Sequence, residues 1–137
     1  MERSRIALPS LALAALLGVG GPARAGDGTL GLQGLFCNSE AQIDGTLDHI
    51  RQGLSPHSAV EFANRGAVVC TYVDRLRYVV ERPVDIGRTG SSFAPVKYRA
   101  TLVGVWVGDN LRPVAPPVEI FFVTPGRIVG AVFERPT

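Results

Sequence analysis

Cys37, Asp44, Asp48 and His49 fall within thirteen positions of the stretch LFCNSEAQIDGTLDHIRQGL, residues 35 to 54. Thiolate, carboxylate and imidazole are the groups that ligate transition metals or run nucleophilic catalysis. Spacing argues against both. On a helix Asp44 and Asp48 share a face, at i and i+4, whereas His49 points about 100° away from Asp48. A divalent ion needs more ligands than two aspartates, and no short metal motif is present. The stretch therefore reads as a helix with a solvated polar face, Asp48 lying near Arg51 and Gln52. His57, just after Pro56, opens a second helix and lacks an evident nucleophile. Ser91 and Ser92 follow Gly90 without the Gly-x-Ser-x-Gly pattern of a nucleophile elbow. Gly87-Arg88-Thr89-Gly90 has the glycines of a phosphate loop but neither the Gly-Lys-Ser/Thr nor the helix that should follow. No catalytic, cofactor-binding or metal-ligating residue is assigned, and the chain is read as a non-enzyme.

Cys37 and Cys70 are the two cysteines of the chain. Their redox setting follows from the N-terminus. Arg3 and Arg5 precede an apolar run from Ile6 to Val19, and Ala23-Arg24-Ala25 supplies a small-x-small cleavage pattern. These are the parts of a secretory signal. Spanning a bilayer needs roughly 20 apolar residues, so residues 1–25 are expected to be cleaved and residues 26–137 to form one domain without membrane insertion. Export to the periplasm or outside the cell places both cysteines in an oxidising compartment. A Cys37–Cys70 disulfide is expected, worth roughly 3–4 kcal/mol for the loop it closes. Two buried thiols or an intermolecular bridge are the alternatives.

Cleavage also changes the charge. It leaves 11 of the 14 basic and 11 of the 12 acidic residues, a net charge of zero. Ten of those basic residues are arginines scattered singly, and Lys97 is the one lysine. Binding nucleic acid through phosphates needs a basic surface, so nucleic acid is not an expected partner.

The elements follow from pattern. Residues 26–34 are glycine-rich, with a short strand around Leu32 to Phe36. Ser39 and Gln42 form a capping-box pair, Glu40 suits a first turn, and Ile43, Leu47, Ile50 and Leu54 make one apolar stripe. Ser55-Pro56 caps a second helix that Asn64-Arg65-Gly66 ends, Gly66 being the expected left-handed cap. Strands are expected at 67–73, at 76–81 (continuing past Asp74-Arg75 or after a bend there), at 96–107, at 118–123 and at 127–134. Proline and glycine mark 81–95 and 108–117 as loops, and Pro125-Gly126 suits a type II turn. The expected fold is α+β: two N-terminal helices packed on an antiparallel meander of about four strands. The disulfide would join the helix layer to the sheet.

Cys37-x-x-x-x-Gln42, a second cysteine about thirty residues on and a β-rich final half resemble small exported bacterial proteins of uncharacterised function. The resemblance implies a periplasmic or secreted setting and carries over no active site. The leading expectation is binding of an envelope protein through an exposed strand edge or through the Pro-rich segment holding Asn110, Leu111, Arg112 and Pro113. The second is a small-molecule carrier, with Tyr72, Tyr98 and Trp106 lining a pocket between the first helix and the sheet. Trp106 shares its strand face with Tyr98, Ala100, Leu102 and Gly104, and the small residues there leave room for a ligand or for a neighbouring side chain. The third is a hydrolase using His49 or His57. A neutral chain with strand edges can dimerise, but no residue marks an interface.

Overall fold

The computed structural model describes residues 29–88 and 94–133. The expected signal at 1–25, Ser91 and Ser92, and the end of the 127–134 strand lie outside the described residues. The order is β1 (Thr29–Cys37), α1 (Glu40–Arg51), α2 (Pro56–Ala63), β2 (Cys70–Arg88), β3 (Val96–Val107), β4 (Asn110–Val123) and β5 (Val132–Phe133). Among the described residues the class is α+β, with two helices and a five-stranded sheet. Two expectations need correction. A full strand precedes the helices, so the helices are not N-terminal. The sheet is mixed, because β5 runs parallel to β2 at Val84 and Asp85.

The other four strands are antiparallel and close on themselves. β1 pairs with β2 from Thr29↔Glu81 to Cys37↔Cys70, and with β4 at Leu35↔Val123, Phe36↔Phe122 and Cys37↔Phe121. The β2–β3 and β3–β4 ladders complete the ring. A straight strand as long as β2 (19 residues) would run roughly 60 Å, longer than a domain of this size is wide. Bulges bend it. Against β1, residues 74–77 have no partner between Gly34↔Val73 and Leu32↔Tyr78. Against β3, Arg82 and Pro83 are looped out, with Arg82 at φ 54, and a further shift follows at Gly87, φ 100. The expected loop at 81–95 is thus strand over 81–88: Pro83 and Gly87 serve bulges rather than ending the ladder.

The expected loop at 108–117 is also strand. Only Gly108 and Asp109 form the turn between β3 and β4, Gly108 taking φ 61. Pro113, Pro116 and Pro117 lie on β4, which β1 covers only at 121–123. A strand with a free edge tolerates the missing N–H groups, and the same prolines blunt that edge against pairing with another chain. Gly126 takes φ 75 in the expected turn, but the chain then crosses to β2 instead of pairing back as a hairpin strand.

Alternation along the strands creates two cores. Leu30, Phe36, Val73, Val80, Tyr98, Ala100, Leu102, Ile120 and Phe122 fill the inside of the ring. Phe36, Phe122 and Tyr98 lie across three neighbouring strands, their rings 5.0 and 5.4 Å apart, within the range of favourable aromatic pairs. On the outer face, Leu35, Cys37, Cys70 and Val123 pack against Ile43 and Leu47 of α1. The stripe continues as a half-buried Ile50 and Leu54. Ser39 caps α1 by accepting from Gln42 N–H, 3.2 Å; the reciprocal half of the box is missing, since Gln42 Oε1 is buried without a partner. At the other end Gly53 N–H reaches Ile50 O and Leu54 N–H reaches His49 O, a Schellman closure around Gly53 at φ 111.

The Cys37–Cys70 disulfide is present. It joins two directly opposed strand residues, Cα atoms 4.0 Å apart: the segment before α1 is itself strand, so the bond ties strand to strand and not the helix layer to the sheet. α1 and α2 are the excursion it closes. Gly66 is not the left-handed cap of α2. Asn64 is the C-cap residue, and its side chain holds the start of β2: its Oδ1 accepts from Val69 N–H and Cys70 N–H, each 2.9 Å, and its Nδ2 donates to Cys70 O at 2.8 Å.

Two stability predictions follow. Asn64→Ala leaves three part-buried backbone groups at the start of β2 unsatisfied, and should cost about 2–3 kcal/mol in denaturant unfolding with the disulfide intact. Gly34 lies at φ 142, and a Cβ there would run into the carbonyl oxygen of Val123 and lie 3.1 Å from Thr124 Cα. Gly34→Ala should therefore cost about 3 kcal/mol or more, read as a lower denaturant midpoint.

Candidate functional site

The aromatic residues expected to share a pocket are dispersed. Tyr98 is buried inside the ring, and its hydroxyl accepts from Ile128 N–H at 2.9 Å. Tyr72 is half-buried on the outer face, with His57 edge-on 5.1 Å away. Trp106 lies near the far end of β3 and is 37% exposed. The space between α1 and the sheet is filled by buried side chains. The room beside Trp106 at Gly104 is taken by a neighbour: a Cβ at Gly104 would lie 3.1 Å from Leu111 Cδ1.

Of the titratable residues singled out, Asp48 pairs with Arg51 and His49 stacks on Phe62 at 4.2 Å. Arg65 covers the same Phe62 ring, its guanidinium carbon 4.1 Å from the centroid. His57 Nε2 lies 3.3 Å from Asp74 Oδ2 on an exposed surface. Asp44 is not part of a merely solvated face. With Glu40 it holds Lys97, whose Nζ donates to Glu40 Oε2 at 2.6 Å and Asp44 Oδ1 at 3.0 Å. Lys97 is buried on β3 beneath α1. Burial lowers its pKa, but the hydrogen bonds to Glu40 and Asp44 and their negative charges outweigh that, so the net shift is upward. This is a charged staple between helix and sheet. The signal for it was slight: the chain's single lysine, placed on its most apolar strand. Among the described residues no group of three or more His, Cys, Asp or Glu could hold a metal, and no helix is long and apolar enough to cross a membrane.

The β2 bulge at 74–77 builds the site that remains. Gln33 Nε2 donates to Asp74 O at 3.0 Å and fixes where the bulge leaves β1. Beyond it Arg75 and Arg77, two positions apart, line an open cleft of about 230 Å³ with Trp106 and Gly108. Arg77 and Trp106 are direct cross-strand partners, and so are Trp106 and Leu111. Cross-strand partners share a sheet face. The row therefore reads guanidinium, indole, exposed leucine. Gly31 backs it: a Cβ there would lie 3.5 Å from Arg77 Cδ and 3.9 Å from Trp106 Cδ1. Thus Trp106, from the expected pocket, and Leu111, from the expected partner segment, meet at one place. Asn110, Arg112 and Pro113 surround Leu111 as exposed strand residues of β4. Arg75, Arg77, Gly31 and Gly108 were not singled out in the sequence, because the bulge that gathers them depends on how β1 and β2 pair.

Compared with family models, with curated proteins and with solved structures, the chain matches none.

The staple predicts an alkaline transition. A lysine whose folded pKa is raised contributes stability that is fully present below the unfolded value, about 10.4, and is lost as pH rises through the folded value. Thermal unfolding of wild type should therefore lose stability above about pH 10.4 more steeply than Lys97→Met, a comparison that removes the contribution of the tyrosines. At neutral pH, Glu40→Gln with Asp44→Asn should cost about 3 kcal/mol, because it leaves a buried ammonium without counter-charge. Lys97→Met should cost less, since the two carboxylates it abandons are 46% and 38% exposed.

Proposed function

We propose that this protein is an exported, non-enzymatic binding module of the cell envelope that engages a partner protein through the cleft at the β2 bulge. The carrying observation is Trp106, the chain's only tryptophan, held half-exposed between Arg77 and the exposed Leu111. Tryptophan and arginine are the side chains that most often anchor protein interfaces. Cleft size favours a protein partner over a small-molecule cargo. Pockets that enclose a small ligand span about 300–1,000 Å³. This one is about 230 Å³ and open, suited to one side chain reaching in from a larger surface. Binding without catalysis also accords with the His57–Asp74 pair, whose side chains are 66% and 47% exposed; a catalytic base works best where water is excluded. Export is part of the same reading, supported by the basic start, apolar run and Ala23-Arg24-Ala25 of the first 25 residues and by the disulfide.

The test is crosslinking in envelope extract with wild type, Trp106→Ala, Leu111→Ala and the distant surface variant Val68→Ser as baits. A specific partner should be recovered by wild type and Val68→Ser. Its recovery should fall at least about tenfold with Trp106→Ala. Equal recovery by all four baits would sink the reading. So would native mass spectrometry showing a small molecule retained by the chain as exported, which would favour the carrier instead.

A further inference from the structure

We infer that the cleft recognises a carboxylate, presented by an acidic side chain of the partner protein. This rests on the cleft being a partner surface, and it adds the chemistry of the group received. Three arginines are answered by carboxylates of the chain itself: Arg51 by Asp48, Arg99 by Glu119 and Arg127 by Asp85. Arg75 and Arg77 pair with no carboxylate among the described residues, and they are brought together in one cleft. The nearest acid in sequence, Asp74, is engaged by His57, and its side chain alternates to the other side of the strand. Asp109 follows Gly108 in the turn and is exposed, and no acid is among the residues that line the cleft. Two guanidiniums two residues apart repel one another, and an incoming carboxylate relieves that repulsion. Each guanidinium presents a planar fork that matches a carboxylate. The indole of Trp106 and the side chain of Leu111 supply apolar surface for the methylene stem behind it.

Open geometry and size narrow the source. A cleft of about 230 Å³ admits the end of one side chain. A nucleic acid would need basic residues spread along a track, and the lining of this cleft holds two arginines.

Because Trp106 is the chain's only tryptophan, its emission reports on the cleft directly. The probe is a tryptophan-free peptide of alternating glutamate and leucine, blocked at both ends. Its counterpart has glutamine at every glutamate. The glutamate peptide should shift the emission saturably. The glutamine peptide should bind about tenfold or more weakly, and so should the glutamate peptide on Arg75→Gln/Arg77→Gln. The glutamate response should also weaken as salt is raised. Both arginines are exposed, so the double variant should fold, which its unfolding midpoint checks. Equal responses to the two peptides would overturn the assignment, as would no saturable response to the glutamate peptide or a tighter response to a short single-stranded oligonucleotide. If the assignment fails while Trp106→Ala still loses the crosslinked partner, the partner surface stands and only its carboxylate chemistry is wrong. If Trp106→Ala keeps the partner, the surface itself fails.

Discussion

Residues 34 to 37 of β1 are buried on both faces, and the rest of the molecule is arranged around them. Phe36 points into the ring, where it stacks on Phe122 and meets Tyr78 at 4.7 Å. Leu35 and Cys37 point outward under α1. Three of the four, Leu35, Phe36 and Cys37, pair with β2 on one side and β4 on the other. Without this segment the β2–β3–β4 meander would be an open sheet with an exposed apolar face. With it the sheet becomes a ring enclosing one core and carrying a second on its back. Gly34 permits the closure because β4 passes where a side chain would stand. The disulfide sits at the end of the same seam, so it constrains the chain where closure is made.

Closing a ring with so few strands requires them to bend, and the bends produce the surface. β2 cannot follow β1 and β3 along one straight path. It lets go of β1 at Asp74 and regains it at Tyr78. In a flat sheet Arg75 and Arg77 would stand beside a neighbouring strand. In the bulge they leave β1, while Arg77 stays paired with Trp106 of β3. The cleft is thus a by-product of curvature, the setting in which bulges often re-aim side chains. The outer core is held differently. Its apolar contacts are joined by Lys97, whose ammonium could not be buried there without Glu40 and Asp44. Because both acids are on α1 and the lysine is on β3, the pair specifies where the helix lies as well as that it lies there.

Local signals in the sequence were reliable where local physics decides. Ser39 before Glu40, Ser55 before Pro56 and the Ile43–Leu47 stripe mark helices that form where they are expected. Val96–Val107 is a strand with the expected bounds. The disulfide followed from counting two cysteines in a chain whose first residues read as an export signal. The misreadings share one cause. Pro83, Gly87, Pro113, Pro116 and Pro117 look like loop residues because they break regular ladders. Here they sit in bulges and on a free edge, where ladders are already broken. Whether a proline ends a strand or sits on its edge depends on which strand lies beside it, and that is a nonlocal fact. The same holds for β1, whose short apolar alternation gave little sign that it precedes the helices as a full strand bridging two others.

The candidate site was half legible for the same reason. Aromatic and apolar residues announce themselves by type, so Trp106 and Leu111 stood out, though in separate readings of pocket and partner segment. The β3–β4 register made them one feature by placing them opposite each other. That register also settles what Gly104 is for. A small residue beside a tryptophan leaves a gap, and Leu111 leans across the strand into it. The gap is therefore spent on packing, and the opening moves to the other flank of the indole, where Arg77 is its cross-strand neighbour. The cleft is therefore filled on its apolar flank and open on its cationic one. That asymmetry follows from one register and one bulge, and it is why the chemistry of this surface is legible in the fold and not in the order of the residues.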